Sequence, residues 1–312
     1  MIYNKDRTAV NAAYKKNRTP AIKAYGKNGN EVWQAISHNV SNSFTSELLF
    51  DLLDIGGGTQ GVACDDLSQE IAQLYTGKIY TIDVGTGDYT KRADSRNLGH
   101  GSGGAFEKTK RSQSDLYPAL WVATGENQTI NDTVYGRYIE VFIGESQSTI
   151  NRAFFVKLRQ SGYCLFAFDL DNEIAYCVTL SGFDPMENGW CHIDVYDMTN
   201  ISSFTDGSYP QTPANGNWVL ADNPIDSFDI DYIPETQSIT FFDGLIGFLS
   251  DAGKVVFVDV GTHGVYLTID HDLPPYEREG IGFITNPQTG KSDMILSARQ
   301  PTFNRYYRYQ FN

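Results

Sequence analysis

KIYTIDVGTG, residues 78–87, has a close copy in KVVFVDVGTHG, residues 254–264. Three looser versions lie between and beyond: RYIEVFIGE at 137–145, HIDVYDM at 192–198 and NRYYRYQF at 304–311. Taking Ile79, Tyr138, Ile193, Val255 and Tyr306 as equivalent, the steps are 59, 55, 62 and 51 residues. Each copy reads as a strand, rich in β-branched and aromatic residues and bounded by glycine, asparagine or acid.

Two weaker strand signatures precede each copy. The first set is QGVACDD from Gln60, SGGAFEK from Ser102, CLFAFDLD from Cys164, SFDIDYIP from Ser227 and GIGFITNP from Gly280. The second is EIAQLYT, YPALWVATG, EIAYCVTLSG, SITFFDG and SDMILSAR. Units of several strands recurring every fifty to sixty residues predict an all-β chain and a five-bladed β-propeller. One blade cannot bury both of its faces, but a closed ring of blades can. Blades are expected to start near residues 60, 101, 163, 227 and 279. The last copy lacks a following outer strand, so a strand from about residues 39–50 is expected to close the ring against residues 304–311. GHGSGGAF, residues 99–106, then marks the start of an innermost strand. It is not a phosphate loop, because no helical pattern follows it.

The chain has 312 residues and a formal charge of −14, with 13% aromatic residues. That charge argues against nucleic acid and anionic membranes as partners, and no apolar run approaches the roughly 18 residues of a spanning helix. No apolar leader is visible, so no signal peptide is expected. Residues 1–35 read as a separate docking segment, and residues 36–312 as the propeller. Within residues 1–30, Lys5, Arg7, Lys15, Lys16, Arg18, Lys23 and Lys27 face only Asp6. Cys64, Cys164, Cys177 and Cys191 match no zinc or redox spacing and read as free thiols.

Residues 2–34 carry Val10, Tyr14, Ile22, Tyr25-Gly26 and Val32-Trp33, with basic or Gly/Asn turns between. This resembles N-terminal segments of bacteriophage tail-fibre, baseplate and other virion proteins. Residues 60–63, 71–75 and 77–87 resemble bacterial and phage propellers whose blades read "QG-a…iyq…GKIYvidl-tG". The resemblance implies a virion structural protein of tail, neck or fibre, assembled in the host cytoplasm. Its N-terminus would join other virion proteins, and its propeller would serve assembly or adhesion to a host-surface glycan. A second copy of the chain is a further candidate partner. The alternative is a bacterial carbohydrate-active or wall-polymer-associated propeller of glycosidase type.

On a propeller, loops joining second to third strands and blade to blade share one face. That face should gather His100, GENQTIND at 125–132, DPMENGW at 184–190 and DHDLPPYERE at 270–279. The candidate ligand-binding residues are His100, Asp184, Trp190, Tyr209, Trp218, His271 and Asp272. Planar rings among glycine, asparagine and proline suit stacking on sugars, and residues 199–225 read as an insertion. A glycosidase needs two converging carboxylates. The innermost strands are expected to start at Gln60, Gly101, Tyr163, Asp226 and Glu279, so only Asp226 and Glu279 qualify. Asp65, Glu107 and Asp169 fall at the opposite ends. DLDNE at 169–173 lacks the glycine and distant glutamate of a calcium loop. With no nucleophile elbow either, no catalytic residue, metal or cofactor is assigned and the chain is expected not to be an enzyme.

Overall fold

The computed structural model describes residues 38–312 except 54–58, 76–77, 95–97, 146–147, 160, 205–216, 222, 272, 274–276 and 301. Before residue 38 it describes the backbone of four short strands. These are β1 (Ile2–Tyr3), β2 (Ala9–Tyr14), β3 (Pro20–Tyr25) and β4 (Glu31–Ala35), joined in that order as one antiparallel sheet. No helix occurs among the described residues.

β5 (Phe44–Leu52) follows, then β6 (Thr59–Asp65), β7 (Glu70–Tyr75), β8 (Lys78–Asp83) and β9 (Tyr89–Asp94), which form a sheet in that order. The next sheet runs β10 (Gly103–Phe106), β11 (Leu120–Ile130), β12 (Thr133–Ile143) and β13 (Ser148–Lys157). β14 (Tyr163–Asp169), β15 (Ile174–Leu180) and β16 (Cys191–Asp197) begin the third. The chain then turns back: β17 (Ile201–Ser203) and β18 (Asn217–Ala221) extend the second sheet, where β18 lies parallel to β13. β19 (Asp226–Ile230) returns as the outer strand of the third sheet. β20 (Thr236–Phe242), β21 (Leu245–Ser250), β22 (Lys254–Asp259) and β23 (Gly264–Asp270) form the fourth sheet. β24 (Glu277–Thr285), β25 (Ser292–Arg299) and β26 (Asn304–Phe311) form the fifth, completed by β5.

The arrangement is all-β and propeller-like. The first strands β6, β10, β14, β20 and β24 touch in succession, and β24 returns to β6. A separate apolar cluster fills each gap between successive sheets. Leu74, Ile79, Leu120 and Phe155 lie between the first and second, Tyr138, Phe154 and Phe166 between the second and third. Leu165, Ile193, Phe248 and Val258 fill the third gap, Phe257, Leu296 and Tyr309 the fourth. Ile71, Ile82, Ile295 and Tyr306 close the circle. Middle strands are covered on both faces, so β21 is buried at every position and reads LIGFLS with no polar alternation.

All five aligned copies fall on third strands, with Ile79, Tyr138, Ile193, Val255 and Tyr306 buried. Ring closure also follows expectation: β5 pairs antiparallel with β26 from Phe44–Phe311 to Leu52–Asn304. Two expectations are corrected. Four of these sheets have four strands, but the second has six: where an insertion was expected, β17 and β18 add two strands to its outer edge. The fourth sheet begins at Thr236, not near residue 227. SFDI belongs to the edge strand β19, where only Phe228 is buried, and Pro234 lies in the link to β20. The four cysteines are free.

Candidate functional site

His100 is exposed just before β10, and its amide donates to Thr124 O at 2.6 Å. Asp184 is exposed between β15 and β16, and its carbonyl accepts the Tyr232 hydroxyl at 2.8 Å. Trp190, in the same connection, donates its amide to Ser181 Oγ at 3.1 Å. Its indole lies so close to Gly162 that a Cβ there would sit 2.9 Å from Cη2, so the ring covers its own sheet. His271 is buried after β23, with its amide on Gly253 O at 3.1 Å. Tyr209 and Asp272 lie outside the described residues.

Trp218 departs from expectation. It belongs to β18, and its ring stacks on Phe155 at 5.4 Å against the core between the first two sheets. A ring held there is packing, not a displayed sugar platform. Asp226 departs too: on the outer strand β19, 3.5 Å from His263, it is not at the start of an innermost strand. Glu279 is buried on the innermost strand β24, with Arg299 Nη1 3.2 Å from Oε1. Burial, with the neighbouring Glu277 and Asp251 charges, outweighs Arg299 and pushes its pKa up to about 8. The expected acid pair is therefore split between an outer strand of one sheet and an inner strand of another. Among the described residues no group of three His, Cys, Asp or Glu side chains could hold a metal ion.

Two recesses lie at the other end of the ring. A cavity of about 540 Å³ is lined by the last residues of all five first strands. Four of those strands finish in an apolar-acid pair: Cys64-Asp65, Phe106-Glu107, Phe168-Asp169 and Phe242-Asp243. The fifth supplies Phe283 and Thr285. This recurrence was visible in the sequence as acids at strand ends, but they fall on the face opposite the expected one.

The carboxylates of this mouth already accept hydrogen bonds. Asp65 takes Leu67 N at 3.0 Å and Ser68 Oγ at 2.8 Å, shaping its own turn. Asp66 takes Thr285 N at 2.6 Å and Thr285 Oγ1 at 2.8 Å, tying the first sheet to the fifth. Asp243 takes Asn39 N at 2.8 Å, Asp169 takes Asn172 Nδ2 at 2.8 Å, and Asp171 pairs with Lys108. Glu107 accepts Arg111 Nε at 2.9 Å and Trp121 Nε1 at 3.2 Å.

A second cavity of about 730 Å³ continues outward between the second and third sheets, sharing Glu107, Lys108, Leu170 and Asp171 with the first. Trp121, Arg111 and Arg152 line it. Arg152 stands over the Trp121 ring at 5.7 Å and grips buried Glu140 at 2.8 and 3.0 Å. Burial alone would raise the Glu140 pKa, but Arg152, Asn151 and Arg111 hold it below the ordinary glutamate value. Mouth and cleft thus offer acceptors, guanidinium donors and ring edges along one continuous recess, a surface suited to polar ligands.

No protein-family model and no curated protein matches this sequence. Among solved structures, the chain is similar to the glutaminyl cyclase of Myxococcus xanthus. The identity is 10% and the TM-score 0.42, over 86% of this chain and 97% of that one.

Proposed function

We propose that this chain is a non-enzymatic structural protein of a bacteriophage particle, built as a five-bladed propeller whose second blade is widened to six strands. Residues 1–35 attach it to other virion proteins, and the ring serves assembly or contact with a host-surface glycan. The observation that carries the non-enzymatic part is the use made of the mouth carboxylates. Asp65, Asp66, Asp169 and Asp243 are held in turns and struts, whereas a glycosidase needs two carboxyls free to exchange protons across a substrate. The N-terminal resemblance supports the virion part. Immunogold labelling of purified particles with an antibody to this chain should decorate the tail or neck, and particles without label would refute the proposal. A glycan array with the intact chain tests adhesion separately.

A second reading, a carbohydrate-active propeller, is favoured by Glu279 alone. A buried carboxyl whose pKa is pushed up to about 8 stays protonated at neutral pH, as a general acid must. Incubation with a glycan panel discriminates: turnover that disappears in Glu279→Gln would support the enzyme.

A further inference from the structure

His38 lies between the N-terminal sheet and the closing strand β5, with its side chain only 5% exposed. Both ring nitrogens face oxygen. Nδ1 is 2.6 Å from the backbone carbonyl of Asp243, in the turn between β20 and β21. Nε2 is 2.8 Å from Asp259 Oδ2, at the end of β22. A carbonyl oxygen can only accept, and an ionised carboxylate can only accept. A neutral imidazole carries one N–H and satisfies one of them; the imidazolium satisfies both.

Asp259 is held ready for this. Its other oxygen accepts Gly261 N at 2.8 Å and Thr262 N at 2.7 Å. Asp83 makes the same turn in the first sheet, accepting Gly85 N at 2.9 Å and Thr86 N at 2.7 Å. The repeated DVGT thus shapes a turn in both sheets, and in the fourth it also anchors His38. The ring meets Tyr266 of β23 edge-on at 4.6 Å, and Cε1 faces Gly244. Among the described residues, the groups with charge or protons facing it are Asp259, Asp243, whose Oδ2 is 3.9 Å from Nδ1, and the Tyr266 phenol. The next residues bind the same place: Asn39 N and Nδ2 donate to Asp243 Oδ2 at 2.8 and 3.0 Å, and Val40 enters the core between the fourth and fifth sheets.

We propose that His38 is a protonation-dependent latch, which as imidazolium fastens residues 38–39 to the fourth sheet and on losing its proton releases them. Val40 and the β5–β26 pairing then remain as the hinge. The latch concerns how the chain enters the ring and holds whatever the ring contacts. Burial opposes the charge, but the hydrogen bonds to Asp259 and Asp243 and the two carboxylate charges prevail, so the His38 pKa lies above the ordinary histidine value. The Asp259 pKa is lowered: burial opposes this, but the His38 hydrogen bond leads the groups that outweigh it. The latch is accordingly closed below the His38 pKa and above that of Asp259. It opens as pH rises through the former.

The test uses the full chain across pH 5–9, following the His38 ring by NMR and the Asn39 amide by hydrogen exchange, expressed as protection factors. The ring should titrate above the ordinary histidine value. Asn39 protection should fall through the same pH by about tenfold or more, the factor for one charge-assisted hydrogen bond. His38→Gln should remove that pH dependence, while amides of β5 stay protected. A ring titrating at or below the ordinary value, Asn39 protection that does not follow it, or an unchanged pH dependence in His38→Gln would overturn the latch. If that variant does not fold, the ring titration and Asn39 protection of the unmodified chain decide.

Discussion

The Tyr306 hydroxyl donates a 2.6 Å hydrogen bond to Gln73 Oε1 across the seam where the fifth sheet meets the first. Both side chains are buried, and Gln73 Nε2 in turn reaches the carbonyls of Gln60 at 2.7 Å and Gly61 at 3.1 Å. One glutamine therefore links the inner strand of its own sheet to the third strand of the neighbouring sheet. Tyr306→Phe leaves Gln73 Oε1 buried without its donor, which costs on the order of 1–3 kcal/mol. Gln73→Leu strips two inner carbonyls as well and should cost more. Chemical denaturation of both variants measures the order, and equal midpoints would contradict it.

Gly61 tests the crowding at the ring's centre. Its amide donates to Gly101 O at 2.8 Å, and a Cβ there would stand 2.6 Å from both Gly103 Cα and Ser102 C. Those are backbone atoms and cannot swing aside. Gly61→Ala should destabilise by about 1–3 kcal/mol, the range for overpacking. Gly85→Ala is the control, because its nearest neighbour would be Asp83 Oδ1 at 3.4 Å. It should stay within about 0.5 kcal/mol of the parent.

Glu140 should make the protein acid-sensitive. Its folded pKa is lowered, so its contribution is present above the unfolded value of about 4.3 and lost as pH falls through the folded one. The denaturation midpoint should decline below about pH 4, and Glu140→Gln should flatten that decline. Glu140→Ala leaves Arg152 and Arg111 without their shared partner. Because both arginines are partly exposed, a loss of about 3 kcal/mol, the low end for a broken buried pair, is expected.

Glu279 acts with the opposite sign. Its folded pKa of about 8 lies above the unfolded value, so the folded state binds the extra proton between the two. Stability contributed by this group falls as pH rises from about 4.3 towards 8, then levels. Glu279→Gln should be the more stable protein at pH 9, by on the order of 2 kcal/mol after allowing for the lost Arg299 contact. Thermal melts at pH 5 and pH 9 measure it. A variant equally destabilised at both pH values would show that the carboxylate carries no such penalty.

Much of the fold was legible in the chain, and the reasons are local. A middle strand covered on both faces must be apolar on both, and so KIYTID, YIEVFI and KVVFVD announce themselves by composition. The missing outer strand after Phe311 pointed back to β5, because a ring needs its last edge covered. The candidate site was less legible. Trp218 looked like a loop aromatic because Gly, Asn and Pro precede it, yet β18 finds the free edge of β13, more than sixty positions earlier in the chain. Sequence spacing holds no record of such a partner.

Local pattern in the chain therefore specifies an all-β ring: which strands are buried on both sides, and where the circle closes. Each follows from a burial pattern written within a few consecutive residues. Contacts between distant parts of the chain decided that Asp226 belongs to an outer strand, that β17 and β18 widen the second sheet, and that the cavity opens where the first strands finish. Those outcomes depend on which edges meet in space. An edge strand with a single buried side chain, such as β19, can pair with any exposed edge its loops can reach.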